Sequence, residues 1–442
     1  MDSEGLKQPT VLVIFGISGD LSGRYLLPAL AEIAKYKQLP PEFKVLGVSR
    51  RQLDLNELIA DEQAQLRDSV EVFQMDLAKA EDYLKLKAKI DDITQSFSGS
   101  AQVIFYLSVP PVADQQIIMH LGDAGLNQGS KLMLEKPFGV DLQSANDLAE
   151  HLAQYFKEDQ LYHIDHYLAK EMAQNIVVFW GSNTIFRGVW SNEFIDRIDI
   201  AASETLDIEG RGQFYESTGA LRDFAQNHLL QLAALVLMEP CSNLFEFDEL
   251  PQRRLAALQQ IKAADPAKAI RGQYQGYREE VKNPGSEVET FVCLELASKN
   301  PRWEGVPIYL TTGKMLDQRL SEITIRFKKT AVSKANSLKL RIQPNEGMEL
   351  ELWVKKPGYA RDLEKRPLSF DYDKDAARLP NAYEQVLVDA MRGNHSLFAS
   401  GPEIIESWRI LQPLLNAWSM SSKGLVMYQP GSSIEQVVKE AK

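Results

Sequence analysis

Cysteine is nearly absent: Cys241 and Cys293 are the two in 442 residues. Two thiols so far apart neither frame a small disulfide-stapled domain nor show metal-ligand spacing, so they read as buried free thiols, and no metal site is expected. Histidine is scarce too, six in all. No run approaches the roughly 18 apolar residues that a membrane helix needs. The opening MDSEGLKQPT lacks a basic region followed by an apolar segment. The expectation is a cytoplasmic chain with no membrane partner. Positive charge is in deficit, 49 Lys and Arg against 61 Asp and Glu, for a formal charge of -12. Such a chain repels phosphate backbones and shows no segregated basic tract, which excludes nucleic acid as a partner. An anionic ligand would have to be met by a few locally placed Lys, Arg and His. Fixed-period repeats and long low-complexity linkers are also missing, so domains must be inferred from changes in periodicity.

What is present has the composition of an ordinary folded protein, 44% apolar and 25% charged, long enough for two or three domains at about 150 residues each. Short apolar runs at 11–15 (VLVIF), 43–48 (FKVLGV), 103–109 (VIFYLSV) and 131–135 (KLMLE) are separated by stretches with helical spacing such as YLLPALAEIAKY. That alternation suits buried parallel strands. Beyond about residue 190 the period becomes two: Ile323, Ile325 and Phe327, then Leu338, Leu340 and Ile342, then Met348, Leu350, Leu352 and Val354. Strands with one buried face, hence an antiparallel sheet, are expected there. The stretch 328–337 reads as a hairpin connection, and 221–238 as a buried helix.

The first strand runs into VLVIFGISGDLSGRYLLPAL, which is strand, then Gly16-x-x-Gly19-x-x-Ser22, then amphipathic helix. In such a loop Gly16 allows the tight turn, Gly19 lets backbone approach a pyrophosphate, and a small residue at 22 lets helix and strand pack closely. The phosphates then face the N-H groups at the helix start. The second strand ends at GVSRRQL, where Arg50 and Arg51 stand in place of the acid that usually binds the ribose of NAD. NADP is therefore favoured, with NAD as the alternative; a solvated arginine pair is the plain structural reading. The distance from the glycine loop exceeds the usual 20 or so residues, which an extended first helix would explain. The expected architecture is an α/β Rossmann domain over 1–165 and an α+β domain with a large, mostly antiparallel sheet over 166–442.

The stretch HIDHYLAKEM, 163–172, concentrates His163, Asp165, His166 and Lys170. Hydride transfer from a hydroxyl-bearing sugar carbon needs a base for the hydroxyl proton, most simply a histidine, with a carboxylate to stabilise the imidazolium. A phosphate would need His and Lys within hydrogen-bonding range. His166 and Lys170, four apart, would share a helix face, with Asp165 just before that helix. The plain alternative is a capped helix with surface histidines. His228, inside an apolar helical stretch, would by itself read as a core residue, but Gln226, Asn227 and Asp223 make a polar patch that a core helix would avoid.

IDHYLAKE closely resembles the signature of glucose-6-phosphate dehydrogenases. GISGDLSGRYLLPAL, EKPFG at 135–139, EGRGQFYESTGALRDFAQNHLLQ at 209–231, PRWEGVPIYLTTGK at 301–314 and IQPNE at 342–346 follow in that family's order. The resemblance implies oxidation of D-glucose 6-phosphate to 6-phosphoglucono-1,5-lactone with NADP, the first step of the oxidative pentose phosphate pathway, by a homodimer formed through the large sheet. Carried over residue by residue, it implies His228 as the general base and Asp165 as its carboxylate partner. His166, Tyr167 and Lys170 resemble the phosphate-binding group. Lys136, Glu204, Asp223, Lys314, Arg319 and Gln343 resemble the residues that contact or orient the sugar. The expected cofactor contacts are Gly16, Ser18, Gly19, Asp20, Leu21, Arg50 and Lys136. Pro137 matches a proline that follows a cis peptide bond in the family. The chain departs from the pattern where Gly23 and Tyr25 replace basic residues beside Arg24, where His163 replaces an arginine, and where Ala169 replaces a glycine. The other functions open to the sequence are a related sugar oxidoreductase acting on another sugar, phosphorylated or not, and a family member without catalysis that serves regulation.

Overall fold

The structure is a computed structural model that describes residues 6–241, 247–331, 334–372, 378–421 and 423–441. The opening five residues and positions 332–333 of the expected hairpin connection lie outside the described residues. Contacts divide the chain into two compact units: 1–139 with 143–169 and 380–401, and 140–142 with 170–379 and 402–442. The single boundary expected at 165/166 therefore differs from the observed grouping in one main respect: 380–401 returns to the first unit. The reason lies in its packing. Gln102 donates to Met391 O at 2.8 Å, and Lys131 Nζ donates to Ala390 O at 2.7 Å. Val386, Leu387, Ala390 and Phe398 are buried among the apolar side chains of this unit's core.

The first unit holds the strands β1 (Thr10–Phe15), β2 (Phe43–Ser49), β3 (Val70–Gln74), β4 (Gln102–Leu107), β5 (Lys131–Leu134), β6 (Leu161–Ile164) and β15 (Phe398–Ala399). They form a seven-stranded sheet in the order β15-β6-β5-β4-β1-β2-β3, with only β15 antiparallel. All six residues of β1 are buried, as expected of a strand covered on both faces. The apolar runs found β1, β2, β4 and β5. They missed β3, whose partly exposed VEVFQ carries no apolar run, and β6 and β15, which span only four and two residues.

The second unit holds β7 (Ile195–Ser203), β8 (Ala269–Tyr274), β9 (Phe291–Leu296), β10 (Ile308–Gly313), β11 (Leu320–Phe327), β12 (Ser337–Gln343), β13 (Gly347–Lys355), β14 (Leu363–Asp371) and β16 (Leu425–Tyr428). These make a nine-stranded sheet in the order β14-β13-β12-β11-β7-β10-β9-β8-β16, antiparallel except for the β7/β10 and β8/β16 pairs. The period-two positions lie on β11, β12 and β13. Ile323, Ile325, Leu338, Leu340 and Ile342 are fully buried, whereas burial fades along β13 to an exposed Val354. The expected buried helix is present with a change of winding: Leu221–Leu229 is π-helical, and Leu230–Leu237 continues as a fully buried α-helix. Cys241 and Cys293 are both buried free thiols. No helix among the described residues is long and apolar enough to cross a membrane.

Candidate functional site

In the first unit the glycine turn is built from backbone geometry. Gly16, at φ +82°, follows β1, and a Cβ there would lie 2.2 Å from Ser108 O at the end of β4. No other residue fits. The N-H groups of Gly16 and Ile17 donate to Val48 O at 3.1 and 3.3 Å, tying the turn to the end of β2. Gly19 N donates to Gly16 O at 2.9 Å. Ser22 is buried, with its hydroxyl 3.0 Å from both Gly16 O and Ser108 Oγ, so the small residue joins turn, helix and β4. Gly23, by contrast, has nothing within 4 Å of a Cβ and no steric reason to be glycine. Helical structure then runs through Ser22–Leu26 and Leu27–Lys35, in keeping with the extended first helix that would explain the spacing.

Ser18 is exposed, Leu21 packs partly buried on the core, and Asp20 pairs with Arg24 at 2.8 Å in solvent. Tyr25 stacks on Tyr383 with ring centroids 5.1 Å apart. Arg50 and Arg51 follow β2 and are exposed. Their backbone is held, since Gln74 Nε2 donates to Arg50 O at 3.3 Å and Arg51 N donates to Ser49 Oγ at 3.1 Å. The Arg50 guanidinium has no partner among the described residues, and a cation in that place suits the adenosine 2'-phosphate of NADP. The glycine turn, helix start and free cation thus fit a dinucleotide. Among the described residues no group of three or more His, Cys, Asp or Glu could hold a metal ion.

Past β5, the Lys136–Pro137 bond is cis. Burial pushes the neighbouring Glu135 carboxyl up to about 7, against the opposing effects of the Tyr106 hydroxyl and Lys136. Past β6, the chain does not form the expected helix. Asp165 is buried and accepts from Tyr167 N at 2.9 Å, while Leu168 N donates to Asp165 O at 3.1 Å. This local capture of backbone by an aspartate makes a turn over 166–169. The shared helix face expected for His166 and Lys170 is therefore incorrect; the helix begins only at Glu171, with Lys170 extended at ψ 138°. Tyr167 is buried with its ring 5.1 Å from that of His166.

In the second unit Lys170 precedes the helix Glu171–Ser182, and its Nζ lies 3.9 Å from Glu346 Oε1. The other oxygen of Glu346 accepts from Met172 N at 2.7 Å, so one buried carboxylate both caps the helix and faces the lysine.

Strand register then gathers residues that the sequence leaves far apart. Gly313 on β10 pairs in parallel with Ser203 on β7, so the next residues, Lys314 and Glu204, leave the sheet side by side. Lys314 Nζ donates to Glu204 Oε2 at 2.6 Å. Ser203 also pairs with Leu320 on β11, which places Arg319 beside them, exposed to solvent. Ser321 pairs with Gln343, whose Nε2 donates to Ser321 Oγ at 3.2 Å. One end of the sheet thus carries Gln343, Arg319, Glu204 and Lys314 in a row across four strands.

Tyr215 was not singled out by sequence reasoning. Its ring lies 5.5 Å from Lys314 Nζ. Burial raises its hydroxyl pKa strongly, and the carboxylates of Asp223, Glu289 and Glu204 add to the shift. Those three acids therefore act on Tyr215 through their charge. The only sequence signal was its place within the quoted block at 209–231. His228 is buried in the π-helical segment, its ring edge-on to Phe224 at 5.1 Å, and its backbone N-H donates to Asn227 Oδ1 at 2.6 Å.

A parallel sheet with a glycine turn at its first strand-to-helix junction, in one chain with a sheet domain that collects polar groups at its strand ends, marks a dinucleotide-dependent oxidoreductase. Comparison with known proteins narrows the class. The family model described as "Glucose-6-phosphate dehydrogenase, NAD binding domain" matches residues 13–175, and "Glucose-6-phosphate dehydrogenase, C-terminal domain" matches 177–441. The glucose-6-phosphate 1-dehydrogenase of Chlamydia muridarum is 37% identical over 93% of this chain and 90% of its own length. That of Borreliella burgdorferi is 37% identical over 92% of each. A solved glucose-6-phosphate dehydrogenase in complex with its substrate glucose 6-phosphate superposes with a TM-score of 0.92 at 30% identity, covering 100% of this chain and 99% of that one. The chain belongs to the glucose-6-phosphate dehydrogenase family.

Proposed function

We propose that this chain oxidises D-glucose 6-phosphate at C1 to 6-phospho-D-glucono-1,5-lactone and reduces NADP. The observation that carries the reading is the row of Gln343, Arg319, Glu204 and Lys314 at one end of the nine-stranded sheet, in a chain that matches the family through both of its domains. Such a set of donors and acceptors suits a polyhydroxylated anion better than an apolar ligand.

Bound NADP supplies the hydride acceptor. Gly16, Ser18, Gly19, Asp20 and Leu21 would hold its pyrophosphate, Arg50 would meet the 2'-phosphate, and Lys136 would serve cofactor and sugar alike. His228 takes the proton of the C1 hydroxyl, and Asp165 stabilises the imidazolium that results. His166, Tyr167 and Lys170 neutralise the sugar phosphate, with Glu346 holding Lys170. Asp223, Glu204, Lys314, Arg319 and Gln343 orient the sugar hydroxyls. The proposal includes a cytoplasmic homodimer joined through the large sheet. Supporting the dimer, Val354 on β13 and Leu363 and Leu368 on β14 are exposed at the sheet's edge, apolar area that a second copy would cover.

The test is an assay of glucose 6-phosphate and glucose, each with NADP and NAD, on wild type and His228→Asn. Turnover is expected with the phosphorylated sugar and NADP, and a loss of about 100-fold or more in kcat for the variant. Equal rates on free glucose, or a folded His228→Asn protein with wild-type kcat, would overturn the assignment.

A further inference from the structure

We propose that Glu289 is a positioning residue that sets the segment bearing Asp223 and His228 against the sheet end bearing Lys314; this deepens the reading above and rests on it. Sequence patterning gives this acid no role. It lies two residues before β9, and the structure ties it to both elements.

On the helical side, Glu289 Oε1 accepts from Leu221 N at 3.0 Å, and Glu289 O accepts from Ala220 N at 2.9 Å. Leu221 is the first residue of the π-helical segment Leu221–Leu229. A carboxylate at a helix start accepts an N-H that has no partner within the helix and opposes the positive end of its dipole. The chain enters this segment through a kink at Gly219, with φ 66° and ψ 173°. A Cβ at 219 would lie 2.5 Å from Glu289 Oε1. The carboxylate therefore occupies the space that any larger residue would need, and Gly219 and Glu289 form one device.

On the sheet side, the next residue, Thr290, accepts at its carbonyl from Lys314 N at 2.9 Å. The Tyr428 hydroxyl, on β16, donates to Lys314 O at 2.7 Å and lies 2.9 Å from Thr290 Oγ1. Phe291 pairs with Gly313, which extends the row of strand ends to β9. Two adjacent residues, Glu289 and Thr290, thus register Lys314 and the start of the His228 segment on a common support. Burial raises the Glu289 carboxyl pKa, and its bond from Leu221 N together with the charges of Arg222 and Arg271 opposes that shift.

The role depends on reach, which separates it from a role of charge. Glu289→Asp keeps the charge and withdraws the carboxylate by about one carbon–carbon bond, roughly 1.5 Å. Glu289→Gln keeps the reach and an acceptor oxygen without the charge. Displacements of about 1 Å can cost about 100-fold in rate. The expectation is that Glu289→Asp lowers kcat on glucose 6-phosphate by about tenfold or more while KM for NADP stays within about twofold, and that Glu289→Gln stays within about threefold of wild type in both. Wild-type kcat in Glu289→Asp would overturn the proposal, as would equal damage in the two variants. His228→Asn is assayed beside them. If it loses activity while Glu289→Asp does not, the positioning role alone falls. If it keeps full activity, the base assignment falls and the positioning role goes with it.

Discussion

His163 supplies a test of the first unit that does not depend on turnover. Its side chain is 2% exposed, with Nδ1 3.2 Å from Ala399 O on β15 and its ring edge-on to Phe138 at 4.9 Å. Burial holds the imidazole down to about 4, the Ala399 carbonyl opposes that shift, and nearby His395 adds to it. In the unfolded chain the ring takes up a proton near 6.5. Between those two values the unfolded state binds the proton and the folded state does not, so stability is lost as pH falls from about 6.5 toward 4. By linkage this one group should cost the first unit about 2 kcal/mol at pH 5 relative to pH 8. Other buried groups act in the opposite direction. Burial raises Asp114 and Glu135 to about 7 and Asp389 to about 6, so the stability they contribute at low pH is lost as pH rises through those values. The wild-type profile sums these effects, and only a difference isolates the histidine. His163→Gln keeps a donor for Ala399 O and does not titrate. All six tryptophans lie in the second unit, so their fluorescence does not report on β6. The assay is amide hydrogen exchange of β5 and β6 peptides across a urea series, for wild type and variant, between pH 5 and 8. Wild type should lose about 2 kcal/mol more than His163→Gln over that range. Parallel profiles with a constant offset would refute the buried neutral imidazole.

Lys170→Ala should weaken glucose 6-phosphate binding by about 1.5 to 3 kcal/mol, the range for a charge-assisted hydrogen bond, and leave slow oxidation of free glucose nearly unchanged; equal damage to both substrates would show a structural role for the lysine. Arg50→Ala should raise KM for NADP and hardly alter that for NAD. A wild-type preference for NAD would show the arginine to be a solvated surface group. Tyr25→Lys exchanges the stack on Tyr383 for a cation. A salt-sensitive tightening of NADP binding in a two-salt titration is not expected, because Arg24 remains at the start of the first helix, paired with Asp20 in solvent; such a tightening would show that the cofactor site lacks a charge here.

The parts legible from sequence were those decided within one strand or one turn. Apolar runs marked β1, β2, β4 and β5 because a strand covered on both faces needs nothing else, and alternation marked β11, β12 and β13 because each has one covered face. The glycine turn was equally local: Gly16 and Ser22 do steric work within a few residues of β1, although only the structure shows that Ser108 imposes it. Spacing misled at 165–170, where helical periodicity was assumed and the Asp165 carboxylate instead captured Tyr167 N to make a turn. The return of 380–401 to the first unit was decided by packing across more than 250 residues of chain, which no local pattern records. Glu204 meets Lys314 for the same kind of reason. They are 110 positions apart, and only the parallel register of β7 with β10 sets them side by side. Glu289 was invisible because its importance lies in where its carboxylate reaches, to Leu221 N some 68 residues earlier in the chain. Sequence by itself determined which segments could bury a face and which side chains could carry a proton or a charge, since both follow from local chemistry. Register and kink geometry decided which of those side chains meet, because that depends on hydrogen bonds between strands that the chain brings together only on folding.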